Sequence, residues 1–227
     1  MKPIRIVCGT RATKQEFLSN TALGRSLRLH KMANPMEVQL FAQNTKGLSS
    51  IYNSAIDRAR DQPAILVFIH DDVQILDFFF SQKLRTGLQH YDVLGVAGNI
   101  RRLPRQPAWA FVDDRFTWDD GRYLSGTVGH IKNGELGLAK FGEAPAACRL
   151  LDGLILAADS ERLLDAEIRF DERFAFHFYD MAFCRDAEEK GLTMGTWPLS
   201  LTHESDGAYG TDAWHDGYWR YLQKYGS

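Results

Sequence analysis

Ile65-Leu66-Val67-Phe68-Ile69-His70-Asp71-Asp72-Val73 is the stretch on which the fold reading turns. From Ile65 to Ile69 every residue is apolar and branched or aromatic, the pattern of a strand buried on both faces of a sheet. The run then stops at an imidazole and two carboxylates. Open α/β sheets bind ligands just beyond the carboxyl ends of their strands, which is where His70, Asp71 and Asp72 fall. Adjacent carboxylates repel, so at such a place a cation or hydrogen-bond donors offset their charge. Taken alone, the same acids read equally as a solvated turn that ends the strand.

Outward from this run, strands and helices alternate. Ile4 to Thr10 reads as a strand leaving through a glycine turn, and a helical pattern starts at Glu16-Phe17-Leu18. Glu37 to Ala42 is a second strand, closed by Gln43-Asn44. Between it and the third strand, apolar positions 48, 51, 52, 55 and 56 share one helical face, with Ser49 as the expected N-cap. A helix over 78–88 and a strand over 93–97 follow. This alternation predicts an α/β fold with a mainly parallel mixed sheet flanked by helices. Residues 99–147 lose periodicity and collect Gly, Pro, Asp and Trp, which predicts a loop-rich insertion with a hairpin near 123–131 and a binding role. Strand character returns at 150–158, then a helical turn at 160–164 and a helix over 181–190 that ends at Gly191. A last strand over 194–201 delivers His203 into the segment 204–210, which includes Asp206. Aromatics at 214, 218, 219, 221 and 225 mark a docking helix in the tail.

Composition narrows the function classes. With 44% hydrophobic and 25% charged residues among 227, the chain has the make-up of an ordinary globular protein, either one domain with an ample core or one domain with a small appendage. Lys and Arg total 27 against 29 acids, a formal charge of -2, so no global field draws it to nucleic acid or to an anionic membrane. Peripheral membrane contact stays open, and the oligomeric state is not specified. The basic run Arg101-Arg102-Leu103-Pro104-Arg105 has no interleaved aromatics and reads as a solvated or phosphate-facing loop. Cys8, Cys148 and Cys184 lack CxxC spacing, which argues against a zinc site or disulfide framework and for buried, reduced thiols. No leader pattern appears, and apolar runs fall short of the ~20 residues of a membrane span. A cytoplasmic protein is expected.

Three blocks, in order, carry a family resemblance: Asn44-Thr45-Lys46-Gly47-Leu48-Ser49 with Tyr52-Asn53; Phe68 to Val73; and Leu151-Asp152-Gly153 through Phe170-Asp171-Glu172-Arg173-Phe174 to Phe178-Tyr179-Asp180-Met181. Over about three quarters of the chain they resemble family 2-type glycosyltransferases with the glycosyltransferase A fold. The likeness is strongest to small bacterial glycosyltransferase-like domains named after a streptomycin-biosynthesis protein. The resemblance implies a single domain: residues 1–98 for the nucleotide sugar, 99–213 for the acceptor side and insertion, 214–227 for the docking helix. It also implies transfer of a sugar from a nucleotide-sugar donor to a saccharide or other hydroxyl acceptor, with inversion, assisted by Mn²⁺ or Mg²⁺.

Site residues follow from the same resemblance. Asp72 takes the metal-ligating place of a DxD-type motif, with Asp71 beside it. His70 stands where a first Asp is common, and its imidazole either shifts preference toward Mn²⁺ or orients the donor. His203 matches a C-terminal His that completes the metal or diphosphate site. Asp180 matches the acid that deprotonates the acceptor hydroxyl, with Tyr179 in place of the usual Glu. Its plain alternative is an acid that complements the dipole of the following helix. Thr10, Arg11 and Asn44 take nucleotide-contacting places, Arg11 as a phosphate partner; Thr10 and Asn44 read equally as turn formers. Asp152 and Gly153 take acceptor-binding places, the glycine for close approach. Trp109 and Trp118 either stack on sugars or anchor the loop-rich region. Gly207 and Gly210 supply hinges for a loop over the donor.

Two other functions fit parts of the pattern. His70 and Tyr179, where acids are usual, suit a degenerate transferase-like domain that binds a glycan or protein without catalysis. A metal-dependent phosphohydrolase using His70-Asp71-Asp72 lacks the further His and Asp spacing such enzymes carry.

Overall fold

A computed structural model describes residues 1–205 and 207–226; Asp206 and Ser227 lie outside the described residues. Strands β1 (Ile4–Gly9), β2 (Glu37–Phe41) and β3 (Ile65–Ile69) pair in parallel in the order β2-β1-β3. All five residues of β3 are buried, as its unbroken apolar run requires. Helices α1 (Lys14–Asn20) and α2 (Ala22–His30) connect β1 to β2, and α3 (Leu48–Arg58) connects β2 to β3. Thr13 caps α1 through a reciprocal bond with Glu16, and Thr21 both ends α1 and caps α2.

The helix α3 begins differently from the sequence expectation. Gly47, not Ser49, is the N-cap, because a Cβ there would lie 2.8 Å from the Ala175 backbone. Ser49 sits inside the first turn and donates its hydroxyl to Phe174 O at 2.6 Å. With Asn53, which bonds Phe170 N and O at 2.9 and 2.8 Å, it ties the segment 170–175 to α3.

After β3 the chain builds a second sheet. β4 (Val73–Ile75) and α4 (Phe80–Gly87) are followed by β5 (Val93–Gly95) and β6 (Ala97–Asn99), and the single strand expected over 93–97 is split between the two sheets. The same division occurs twice more. The 150–158 run becomes β10 (Leu150–Leu151) and β11 (Ile155–Asp159), and the 194–201 run becomes β12 (Met194–Thr196) and β13 (Leu201–His203). β7 (Leu124–Lys132) and β8 (Glu135–Gly142) form the expected hairpin, longer than predicted. Its two-residue loop Asn133-Gly134 has φ of 55° and 81°, the left-handed pair that matches strand twist.

With β9 (Ala146–Ala147), the first sheet runs β2-β1-β3-β11-β5-β12-β9; the second runs β10-β6-β7-β13-β4, with β8 on β7. In the first sheet β11 is antiparallel to both neighbours, β3 and β5. Helices α5 (Ser160–Asp165), α6 (Tyr179–Glu189) and α7 (Asp212–Tyr225) complete the fold. The tail docks as expected: Phe178 is buried against Trp214, Tyr218 and Tyr221 of α7, at ring separations of 5.3, 5.7 and 5.6 Å. The basic run is not a free loop. Arg101 pairs with Asp119 and lies 3.6 Å from the Tyr123 ring centroid, and Arg102 pairs with Glu188.

Candidate functional site

The carboxyl end of β3 divides its three polar residues. Asp71 turns toward β1: its Oδ2 accepts from Thr10 Oγ1 at 2.5 Å, and its carbonyl accepts from Leu23 N at 3.0 Å. Asp72 turns toward β13, whose pairing with β4 sets His203 opposite Val73. Its carbonyl accepts from Glu204 N at 3.0 Å, and its Oδ1 lies 3.3 Å from His203 Nε2. Burial opposes ionisation of Asp72, but the His203 hydrogen bond and charge, with His70 adding, hold its carboxyl below the usual range.

His70 is oriented by an aromatic strut. Tyr179 Oη donates to Gly153 O at 2.6 Å, since a carbonyl only accepts, and the hydroxyl has no second proton. The 2.8 Å contact between Tyr179 Oη and His70 is therefore donated by Nε2, which leaves a lone pair on Nδ1 of the neutral ring. Burial lowers the His70 pKa and favours that neutral form, with Asp72 opposing and His203 assisting. His70, Asp72 and His203 each bring one ligand-type atom to within 4.8 Å of the others. Two imidazoles and a carboxylate form a donor set suited to a divalent transition ion.

Asp180 occupies the first turn of α6, as the helix-dipole alternative requires, and it also faces the cleft. Its Oδ1 accepts from Met181 N at 2.8 Å and its Oδ2 from Gly153 N at 3.1 Å. Burial, then the nearby Asp152 charge, push its carboxyl up to about 7 against the pull of those backbone donors. Gly153 permits this approach: a Cβ there would sit 2.4 Å from Tyr179 Oη and 2.9 Å from Asp180 Cβ. The preceding Phe178 has φ of 65°, a left-handed bend held by its packing on α7.

Asp152 is fixed by Leu154 N on Oδ1 at 2.9 Å and by the Trp109 indole N–H on Oδ2 at 2.7 Å. Trp109 is buried at 4% exposure, whereas Trp118 is 56% exposed and stacks on Phe141. These groups, with the metal-capable cluster, line a cleft of about 440 Å³. Thr10, Arg11, Asn44 and Asp71 do not line it. Thr10 is buried, Asn44 closes its own turn through Lys46 N and O, and Arg11 is exposed.

Two cleft residues escape sequence reasoning. Tyr179 is visible there only as a replacement for a Glu, and its role as a strut appears once β3, the Gly153 turn and α6 meet. His130 lies on β7, in the region without periodicity. Its Nδ1 donates to His203 O at 3.0 Å, and it lines the cleft. Gly207 and Gly210 have φ of 86° and 72°, and Tyr209 between them packs on Phe111 at the cleft.

Comparison with known proteins bears on the family and the fold. A family model described as a glycosyltransferase-like family matches residues 13–211. No curated protein matches the chain. Among solved structures, the catalytic domain of Drosophila beta1,4galactosyltransferase 7 in complex with xylobiose is similar at 10% identity and a TM-score of 0.53. That likeness covers 94% of this chain and 78% of the other. A structure of GalNAc-T7 with UDP, GalNAc and Mn²⁺ is similar at 11% identity and a TM-score of 0.55. It covers 98% of this chain but 48% of the other, so this chain spans about half of that protein. No helix among the described residues is long and apolar enough to cross a membrane.

Proposed function

The chain belongs to the glycosyltransferase-like family and has the glycosyltransferase A fold, and on that premise we propose that it moves a sugar from a nucleoside-diphosphate donor to a hydroxyl acceptor with inversion. The observation that carries this reading is the convergence on one cleft of the His70–Asp72–His203 cluster and Asp180, the acid tuned to about 7. Within the family, the three sequence blocks support kinship with the small bacterial domains named after a streptomycin-biosynthesis protein, and a single-domain organisation. Three free, buried cysteines favour a reducing, cytoplasmic setting.

His70, Asp72 and His203 would hold the divalent cation. Their two imidazole nitrogens suit Mn²⁺ better than Mg²⁺, which prefers oxygen ligands. When bound, such an ion supplies positive charge against the departing diphosphate. Tyr179 acts behind it by fixing the His70 ring, a second-layer contact of the kind that orients metal-binding histidines. Asp180 takes the proton from the acceptor hydroxyl as that oxygen attacks the anomeric carbon opposite the leaving group. With its carboxyl near 7, Asp180 is ionised often enough to accept a proton and basic enough to retain it. Asp152, held in place by Trp109, orients acceptor hydroxyls beside the Gly153 turn. At the ends of β1 and β2, Thr10 and Asn44 shape the nucleotide edge, Arg11 offers a phosphate contact, and Asp71 supports that edge through Thr10.

Calorimetry with UDP and GDP, with and without Mn²⁺, tests the reading, followed by turnover of a nucleotide-sugar panel. Metal-dependent binding of a nucleoside diphosphate is the expected result; no binding under either condition sinks it. Tyr179 in place of a Glu favours a second reading, a glycan- or protein-binding domain without catalysis. Donor binding without turnover, unchanged by Asp180→Asn, selects that second reading.

A further inference from the structure

The cleft leaves one apolar surface unexplained. Leu29 and Met32, at the end of α2 and just beyond it, are 70% and 90% exposed, and Phe78 and Phe79 before α4 are 74% and 63% exposed. Buried and half-buried hydrogen bonds join these two segments. His30 Nε2 donates to Ile75 O at 3.1 Å, and Asn34 Nδ2 donates to Phe78 O at 2.9 Å. Ser81 N donates to Asn34 Oδ1 at 3.3 Å. The core does not need the exposed rings, because Phe80 and Leu84 already fill the inner face of α4 at 0% exposure. Two consecutive phenylalanines held in water beside a methionine and a leucine are a surplus that a contact surface accounts for.

The charges around this surface select its occupant. From Arg25 to Ala33 the chain carries Arg25, Arg28 and Lys31 and no acid. Arg25 is paired with Glu204 at 2.7 Å; the exposed Arg28, whose guanidinium also donates to Leu18 O at 3.5 Å, and the exposed Lys31 supply the rim. Across from them, the one acid between 76 and 85 is Asp77, 4% exposed and paired with Lys83 at 2.6 Å. A protein of formal charge -2 thus carries a locally basic edge around its exposed apolar residues. Apolar side chains rimmed by Lys and Arg match the boundary between acyl chains and acidic headgroups, where each basic residue adds to binding.

We propose that this surface docks the protein on an anionic lipid bilayer. The docked surface is joined by α2 to the β3–β4 turn beside the cleft: Leu23 N, at the other end of the helix, bonds Asp71 O at 3.0 Å, one residue before Asp72. One helix of this length spans roughly 13 Å, so docking brings the metal-capable cluster close to the bilayer. The proposal does not depend on the transferase reading, and vesicle binding tests it without turnover.

The full chain is sedimented with vesicles of phosphatidylcholine containing phosphatidylglycerol and with vesicles of phosphatidylcholine alone. Binding to the anionic vesicles, weakened by salt, is expected. Phe78→Ser combined with Phe79→Ser should weaken that binding by roughly tenfold or more, and Arg28→Gln combined with Lys31→Gln should erase the preference for anionic lipid. All four positions are surface residues, and unchanged melting of both variants verifies folding. Absence of binding to anionic vesicles, or binding that neither variant weakens, overturns the proposal. A dimer that Phe78→Ser with Phe79→Ser dissociates, without vesicle binding, also overturns it and assigns the surface to a second copy of the chain.

Discussion

Asp71 and Asp72 are neighbours in the chain and belong to different regions of the molecule. The β1–β2–β3 edge, which holds Thr10, Asn44 and Asp71, spends its polar side chains on its own loops. The cleft wall, which holds Asp72, Asp152, Asp180 and His203, uses backbone donors and an indole to fix carboxylates that still face a cavity. Asp71 and Asp72 are the two central residues of the turn from β3 to β4, closed by Val73 N on His70 O at 3.4 Å, so one step along the sequence moves a carboxylate from the scaffold to the cleft. Position at a strand end nominates both residues, and orientation separates them.

Substitutions can break this contrast, beginning with the largest effect. Asp180→Asn should lower the transfer rate by about 10²–10⁴-fold with donor affinity unchanged, measured in single turnovers. In the unsubstituted protein the rate should rise with pH through about 7, as the base loses its proton, and this limb should vanish in the variant. Next, Asp72→Ala or His203→Ala should weaken Mn²⁺ binding by about 100-fold in calorimetry, whereas Asp71→Asn should leave it within a few fold. Equal losses at 71 and 72 would erase the distinction between the two regions.

Gly153→Ala sharpens the comparison from the backbone side. The added methyl meets Tyr179 and Asp180, so urea unfolding should show a loss of about 2–3 kcal/mol together with weakened Mn²⁺ binding, as the His70 strut shifts. Thr10→Val should cost about 1–2 kcal/mol by leaving Asp71 without its donor, with Mn²⁺ affinity preserved.

The smallest effect is a gain. The folded Asp180 carboxyl titrates near 7 and the unfolded one near its ordinary value of 3.8. Between those values the folded chain holds a proton that the unfolded chain has released, so stability falls as pH rises through that window. Asp180→Asn removes this cost, and the variant should melt a few degrees (roughly) above the parent at pH 8 and level with it at pH 4.

Much of this architecture is legible in the residues. The β3 run, the one-sided face of α3 and the aromatic tail each place an element correctly, because burial imposes a period on sequence. Ser49 misleads because good capping chemistry loses to a steric demand two residues earlier, where Gly47 meets Ala175. The three divided strands are illegible for a related reason. Val93 to Asn99, Leu150 to Asp159 and Met194 to His203 each pass between sheets, and most of their strand residues stay buried throughout, so hydrophobicity does not mark the crossing. The sequence nominates His70, Asp72 and His203 as metal ligands, and the structure brings these three together. The strut through Tyr179 depends on a turn, a strand end and a helix start meeting in space, which no local pattern encodes.

The pairing of β4 with β13 sets the order in which the protein is completed. During synthesis His70 and Asp72 emerge early, while the strand that carries His203 is made only after both β10 and β12. A partial chain can lay down β1, β2 and β3 together, but it holds two residues of the cluster and lacks the third. Contacts of such long sequence separation form late in folding. On the proposed metal role of His70, Asp72 and His203, divalent-ion capture would report that the last central strand of the second sheet has been inserted between β7 and β4. It distinguishes a finished molecule from a compact but incomplete one.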